Sequence, residues 1–157
     1  DYNEIIKKGD IQVLSAGTGI EHSEYNKNRD KPINLLQLWI FPNKQNVTPR
    51  YEQLSIRELR NDNEFYQILS PNSDDAGVWI HQNAWMHLGE FNDNEEKTYT
   101  LKDSNNGVYV FVIEGETVIN DKTLTKRDAL GVWDTQTVTL KPGMNSKIFL
   151  IEVPMTF

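Results

Sequence analysis

From about residue 60 to the end, short apolar and β-branched runs recur at spacings of roughly ten residues, each closed by turn-forming residues. That rhythm admits a β-barrel or a β-sandwich and little else. Val108-Tyr109-Val110-Phe111-Val112-Ile113 is apolar almost throughout, and so is Ser146-Lys147-Ile148-Phe149-Leu150-Ile151-Glu152-Val153. Such runs read as strands covered on both faces. Shorter β-branched runs stand at Val78-Trp79-Ile80-His81, Thr117-Val118-Ile119 and Thr137-Val138-Thr139-Leu140. Between them lie Asn105-Asn106-Gly107, Asn120-Asp121 and Pro142-Gly143, the chemistry of turns. Gly115, between two glutamates, reads as another hairpin turn. Residues 60–157 therefore supply about eight strands or more, enough for one complete barrel.

The first part of the chain is different. Ile11, Val13 and Leu14 mark one strand, and residues 33–41 (Ile-Asn-Leu-Leu-Gln-Leu-Trp-Ile-Phe) read as a second, buried on both faces. About two or three strands cannot bury a core alone, so residues 1–41 are expected to be part of a second barrel. The polar, proline-bearing stretch 42–59 is expected to link the two, with one helical turn at 55–60, where Ser55 would cap and Glu58 follows three residues later.

Composition excludes several function classes. The 157 residues carry a formal charge of −7, with acidic and basic side chains interspersed, which disfavours nucleic-acid phosphate and anionic lipid as partners. There is no cysteine, hence no disulfide and no thiolate metal site; this fits a reducing compartment, and the cytoplasm is the expected location. No run reaches the roughly 18 apolar residues of a membrane span. There is no Gly-x-Ser-x-Gly elbow and no phosphate-binding glycine loop.

The chemistry concentrates in Gly17-Thr18-Gly19-Ile20-Glu21-His22-Ser23-Glu24-Tyr25-Asn26. Gly17 and Gly19 allow positive φ or a close backbone approach. If residues 22–24 are extended, His22 and Glu24 face the same way. An imidazole and a carboxylate on one face are half of a site for a first-row metal ion. Asp10 and Asn26 are candidates for hydrogen bonds to those ligands.

This segment closely resembles the second metal-binding motif of the pirin family, bicupins that include bacterial quercetin 2,3-dioxygenases. Trp39-Ile40 followed by Pro49-Arg50-Tyr51-Glu52-Gln53 resembles the family's interdomain connection. Val108 to Gly115 and Asp128-Ala129-Leu130-Gly131-Val132-Trp133-Asp134 resemble its second barrel. The resemblance implies an all-β bicupin of cupin-type double-stranded β-barrels. The second barrel (60–157) would be whole and metal-free, and 1–41 would be the last strands of the first. It implies that His22 and Glu24 are metal ligands, with Glu24 also the general base that deprotonates a flavonol before ring cleavage by O2. The expected metal is one divalent ion, Fe(II) first, with Ni, Mn, Cu or Zn open. The family's other two ligands lie upstream in a His-Pro-His motif that nothing before Gly9 matches. The chain is thus expected to be the C-terminal two-thirds of such a protein, inactive alone and prone to pair with the missing segment or another copy. A non-enzymatic regulatory or scaffold role is the alternative, since animal pirins resemble that.

His81 and His87 flank Trp85 with no carboxylate at ligand spacing, and both are expected to be structural. Trp39, Trp79, Trp85 and Trp133 lie in apolar runs and are expected in the core. Arg50 is expected either to brace the two barrels, through Glu52 or another acid, or to lie exposed in the linker.

Overall fold

The last strand, β12 (Ser146–Pro154), sorts its side chains to two different cores. Ile148 and Leu150 point into one; Phe149 and Ile151 point into the other. Alternation with period two does this wherever both faces of a sheet are covered. Strand β7 (Asn106–Glu114), paired antiparallel with β12, behaves the same way. Val108, Val110 and Val112 enter the first core, while Phe111 and Ile113 turn to the second.

The computed structural model describes residues 3–156. β12 and β7 are central in a six-stranded sheet that also contains β3 (Phe65–Ser70), β4 (Val78–Trp79), β5 (Trp85–Phe91) and β10 (Ala129–Val132), in the order β10-β7-β12-β5-β3-β4. All its neighbours are antiparallel except β3 and β4. A four-stranded sheet, β6-β11-β8-β9, is formed by β6 (Lys97–Thr100), β8 (Glu116–Ile119), β9 (Lys122–Thr125) and β11 (Thr137–Pro142). Between the two sheets lies the first core, where Phe91, Tyr99, Ile119, Val138 and Leu140 meet the valines of β7. Each such side chain, fully buried, contributes roughly 1.5–3 kcal/mol.

The other face of the six-stranded sheet is covered by a small third layer. β1 (Asp10–Ser15) and β2 (Arg50–Ser55) pair antiparallel and place Ile11, Val13 and Leu54 against Ile68, Val78, Met86, Leu88 and Phe149. A 3-10 turn (Ile56–Glu58) follows β2 directly, and Ile56 and Leu59 seal the edge of that core. Ser55 stands at the cap position, but its side chain makes no capping hydrogen bond. Arg50 fastens the layer: its guanidinium lies 3.9 Å above the Trp79 ring, bonds the Trp79 carbonyl and pairs with Glu52. Arg50 is thus not an exposed linker residue, and its contact between layers is made to Trp79 rather than to an acid, Glu52 being its neighbour on β2.

Four expectations are corrected. Residues 33–41 form no strand; Leu35, Leu36, Trp39 and Phe41 are exposed, and only Ile40 of this run packs into a core. No ladder partner runs beside them among the described residues, and an apolar run becomes a strand only when another backbone supplies its hydrogen bonds. Only β1 stands among residues 3–41, and β2 lies inside the stretch expected to be linker. Gly115 is a corner rather than a hairpin, because β7 and β8 belong to different sheets; at φ +74° its hydrogen faces Ser146, where a Cβ would lie 2.4 Å from the hydroxyl. Trp39 and Trp133 are 89% and 57% exposed, outside both cores, while Trp79 and Trp85 are half-buried. The Asn120-Asp121 turn holds, both residues having the positive φ that a tight β8–β9 hairpin needs.

One buried carboxylate joins the strands around the first core. Glu152, on the inward face of β12, is fully buried. Its Oε2 accepts from the Tyr99 hydroxyl at 2.6 Å, and its Oε1 accepts from the Lys102 and Asp103 amides at 2.8 and 3.1 Å and from Asn106 Nδ2 at 2.7 Å. The carboxylate thus ties β6, the loop after it, β7 and β12 together. Removing it strands four buried or half-buried donors at once. Glu152→Ala is expected to lower the unfolding free energy by at least about 3 kcal/mol in urea titration; a loss under about 0.5 kcal/mol would contradict this account of the network.

Candidate metal centre

The segment that carries His22 and Glu24 hangs from the third layer. β1 ends at Ser15 and β2 begins at Arg50, and the long connection 16–49 between them contains no strand or helix. Its first turn is locked by Gly17. At φ +52° this residue approaches the backbone so closely that a Cβ would lie 2.0 Å from the Val47 carbonyl oxygen, which also accepts from the Thr18 amide at 3.1 Å. Only glycine fits there. Gly19, at φ +131°, faces open space and is needed for its backbone alone. The far end is fixed to the barrel, with Asn43 N donating to the His81 carbonyl at 2.7 Å and Gln82 Nε2 to the Phe41 carbonyl at 2.8 Å.

Between these anchors His22 and Glu24 are exposed. No ladder imposes strand alternation on them. The outward face of β1 and β2 reaches Glu24 through Gln12, whose Nε2 donates to Glu24 Oε1 at 2.7 Å. Asp10 and Asn26 are occupied elsewhere: Asp10 Oδ2 accepts from Gln53 Nε2 and the Lys7 amide, each at 2.9 Å, and Asn26 bonds the Lys31 carbonyl and the Asn28 amide. Gln12 is the partner that motif reasoning missed. It precedes His22 by ten positions and shows no spacing signal; the two side chains meet because the connection after β1 folds back beside that strand.

An imidazole and a carboxylate are donors that first-row divalent ions accept, so the chemistry of His22 and Glu24 fits such a metal. Among the described residues no set of three or more His, Cys, Asp or Glu side chains is gathered to hold one.

His87 has the environment of a structural histidine. It lies in β5, buried, with its ring edge-on to Tyr99 at 4.9 Å between centroids. Burial, and secondarily the Lys102 charge, lower its pKa from 6.5 to about 4. Burial and the bond to Glu152 push the Tyr99 hydroxyl the other way, above its ordinary value. His81 is half-buried, edge-on to Trp79 at 4.9 Å.

Residues 67–153 match the family model of the quercetinase C-terminal cupin domain, and residues 2–40 match that of pirin. The chain belongs to the pirin family. This pirin is 30% identical over 151 residues to a protein of Escherichia coli (strain K12) named quercetin 2,3-dioxygenase, covering 96% of the chain and 64% of that relative. It is 28% identical over 145 residues to a pirin-like protein of Caulobacter vibrioides, with 92% and 62% covered. The chain thus spans somewhat less than two-thirds of the length of the curated relatives it matches. Among solved structures, the bacterial pirin YhhW of E. coli in complex with nickel(II) superposes with a TM-score of 0.85 at 30% identity, over 94% of this chain and 62% of that one. A quercetin 2,3-dioxygenase of Acinetobacter baumannii superposes at 0.60 and 13% identity, a likeness of fold alone. The two facing sheets are accordingly a cupin fold, as the resemblance implied. No helix among the described residues is long and apolar enough to cross a membrane.

The buried His87 makes stability depend on pH. Its folded pKa lies below its unfolded one, so the unfolded chain binds more protons between about pH 6.5 and 4. Its contribution is complete above about 6.5 and is lost as pH falls through about 4, on the order of 3 kcal/mol in all. His87→Phe keeps a ring against Tyr99, and denaturant titrations at pH 7 and 4 are expected to show a clearly smaller acid loss than in the parent. Parallel losses would contradict the assignment.

Proposed function

We propose that this chain is the metal-ligand-bearing part of a pirin that cleaves the ring of quercetin-like flavonols with O2. The observation that carries the proposal is the His22-Ser23-Glu24 segment, tethered through Gln12 to the outer face of the β1–β2 layer, in a chain whose relatives include proteins named quercetin 2,3-dioxygenase. His22 would hold a divalent metal through its imidazole, and Glu24 through the carboxylate. Fe(II) is the first expectation, and Ni(II) gains support from the nickel(II) complex of the E. coli pirin. When bound, the metal would act as Lewis acid and template, lowering the cost of the flavonol 3-oxyanion and orienting it.

The rest falls to side chains of this chain. A flavonol meets dioxygen only once its 3-hydroxyl has lost a proton. A carboxylate beside a dication is placed to take it, and Glu24 is assigned that role as general base. Because Gln12 occupies Oε1, Oε2 is the oxygen assigned to the proton or the metal. The remaining ligands would come from residues outside this chain, whether a longer form of the protein or a second copy. The cytoplasm is the proposed location.

Aerobic loss of quercetin absorbance, with ring-cleavage product, is the test for the metal-loaded protein in its longest natural form. Glu24→Gln is expected to slow turnover by about a hundredfold or more, and His22→Ala to abolish it with loss of metal. Normal turnover in Glu24→Gln would overturn the base assignment. Full metal loading with no flavonol loss would favour the non-enzymatic binding role instead.

A further inference from the structure

Glu24 stands at one end of a row of side chains on the outward face of the third layer. Asp10, Gln12 and Leu14 of β1 share this face with Tyr51, Gln53 and Ser55 of β2, in the register Asp10 to Ser55, Gln12 to Gln53 and Leu14 to Tyr51. At the far end, Gln53 Nε2 donates to the Ile5 carbonyl at 3.1 Å and to Asp10 Oδ2 at 2.9 Å. Both amide protons are thereby committed, so Gln53 Oε1 must face the other way, where it accepts from the Tyr51 hydroxyl. The Tyr51 hydroxyl has one proton and gives it to Gln53, so its 3.4 Å approach to Gln12 Oε1 is only the weak branch of a shared bond; the Gln12 amide is oriented by Glu24, whose carboxylate accepts only and therefore meets Nε2. The amide orientations follow from the network. Both ends are carboxylates, which accept only, so the array closes with no donor set against a donor.

We propose that Gln12 is a positioning residue. Held on the β1–β2 ladder, with its Nε2 donating to Glu24 Oε1, it fixes the rotamer of Glu24 on an otherwise irregular segment and leaves Oε2 free for a metal. The role rests on the ligand assignment of His22 and Glu24 made above, and goes beyond it by naming what presets the ligand. Its physical basis is that an exposed glutamate on a segment without secondary structure samples many rotamers. A hydrogen bond from a rigid strand removes most of that freedom before the metal arrives. Supporting partners of this kind orient ligands in metal sites generally.

The test is Co(II) titration of the protein in its longest natural form, following the visible d–d spectrum, which reports ligand geometry as well as affinity. Gln12→Met keeps the side-chain volume and removes the N–H. It is expected to weaken Co(II) binding about tenfold and to change the spectrum, with the thermal midpoint unmoved. Gln12→Glu, which sets a carboxylate against Glu24, is expected to weaken it further and serves if the methionine variant folds poorly. In Glu24→Gln background the Gln12→Met loss is expected to vanish, since its effect passes through Glu24. Two results overturn the positioning role alone: parent-like affinity and spectrum in Gln12→Met while Glu24→Gln loses Co(II), or losses that add in full in the double variant. Unchanged binding in both His22→Ala and Glu24→Gln, or no Co(II) uptake by the longest natural form of the parent protein, overturns the ligand assignment itself and the positioning role with it.

Discussion

Everything in this protein depends on the six-stranded sheet being covered on both faces. A sheet with one solvated face tolerates a polar residue at every second position; over Ile148–Ile151 this one does not. β12 sends Ile148 and Leu150 to one core and Phe149 and Ile151 to the other, so slipping its register by one residue would exchange the two sets and leave Glu152 without its four donors. The register is pinned by an irregularity between Lys147 and Ile148 against β7, and by that carboxylate. The buried network is thus a specificity device as much as a source of stability, because its geometry is satisfied in one alignment only.

The second face is where structure turns toward function. The third layer is only two strands, too little to fold alone, and it holds its shape because Val13, Leu54 and their neighbours are packed on the barrel and Arg50 is clamped to Trp79. Its inward face is spent on that packing. Its outward face is therefore polar, and it carries the Asp10–Gln53–Tyr51–Gln12 array that ends on Glu24. Long irregular connections in compact proteins are often functional. Here connection 16–49 is tied at both ends, at Gly17 against Val47 and at 41–43 against His81 and Gln82, with His22 and Glu24 between.

What could be read from residues alone follows the locality of the interactions. β7, β11 and β12 were legible because alternation and β-branching are properties of a short window, and Asn120-Asp121 because a tight hairpin demands positive φ of those two residues. His87 could be assigned to structure because no carboxylate accompanied it. Residues 33–41 misled because an apolar run reports what a strand would need and not whether a partner backbone runs beside it. Trp39 shared that fate, and Trp133 lies beyond the end of β10. The likeness of the segment around His22 and Glu24 to the pirin family was legible in the residues, whereas Gln12 was not, because it meets Glu24 only where the irregular connection after β1 folds back beside that strand.

The central claim is that the β1–β2 layer is docked on the barrel as a rigid platform and that the segment bearing His22 and Glu24 is hung from it. Hydrogen–deuterium exchange of the full chain, resolved by residue, tests this most directly. The account predicts that the ladder amides of Ile11, Val13 and Leu54 are protected nearly as long as those of β5, β7 and β12, while residues 20–39 exchange early. Exchange of β1 and β2 at the rate of an unstructured chain, beside a protected barrel, would contradict it.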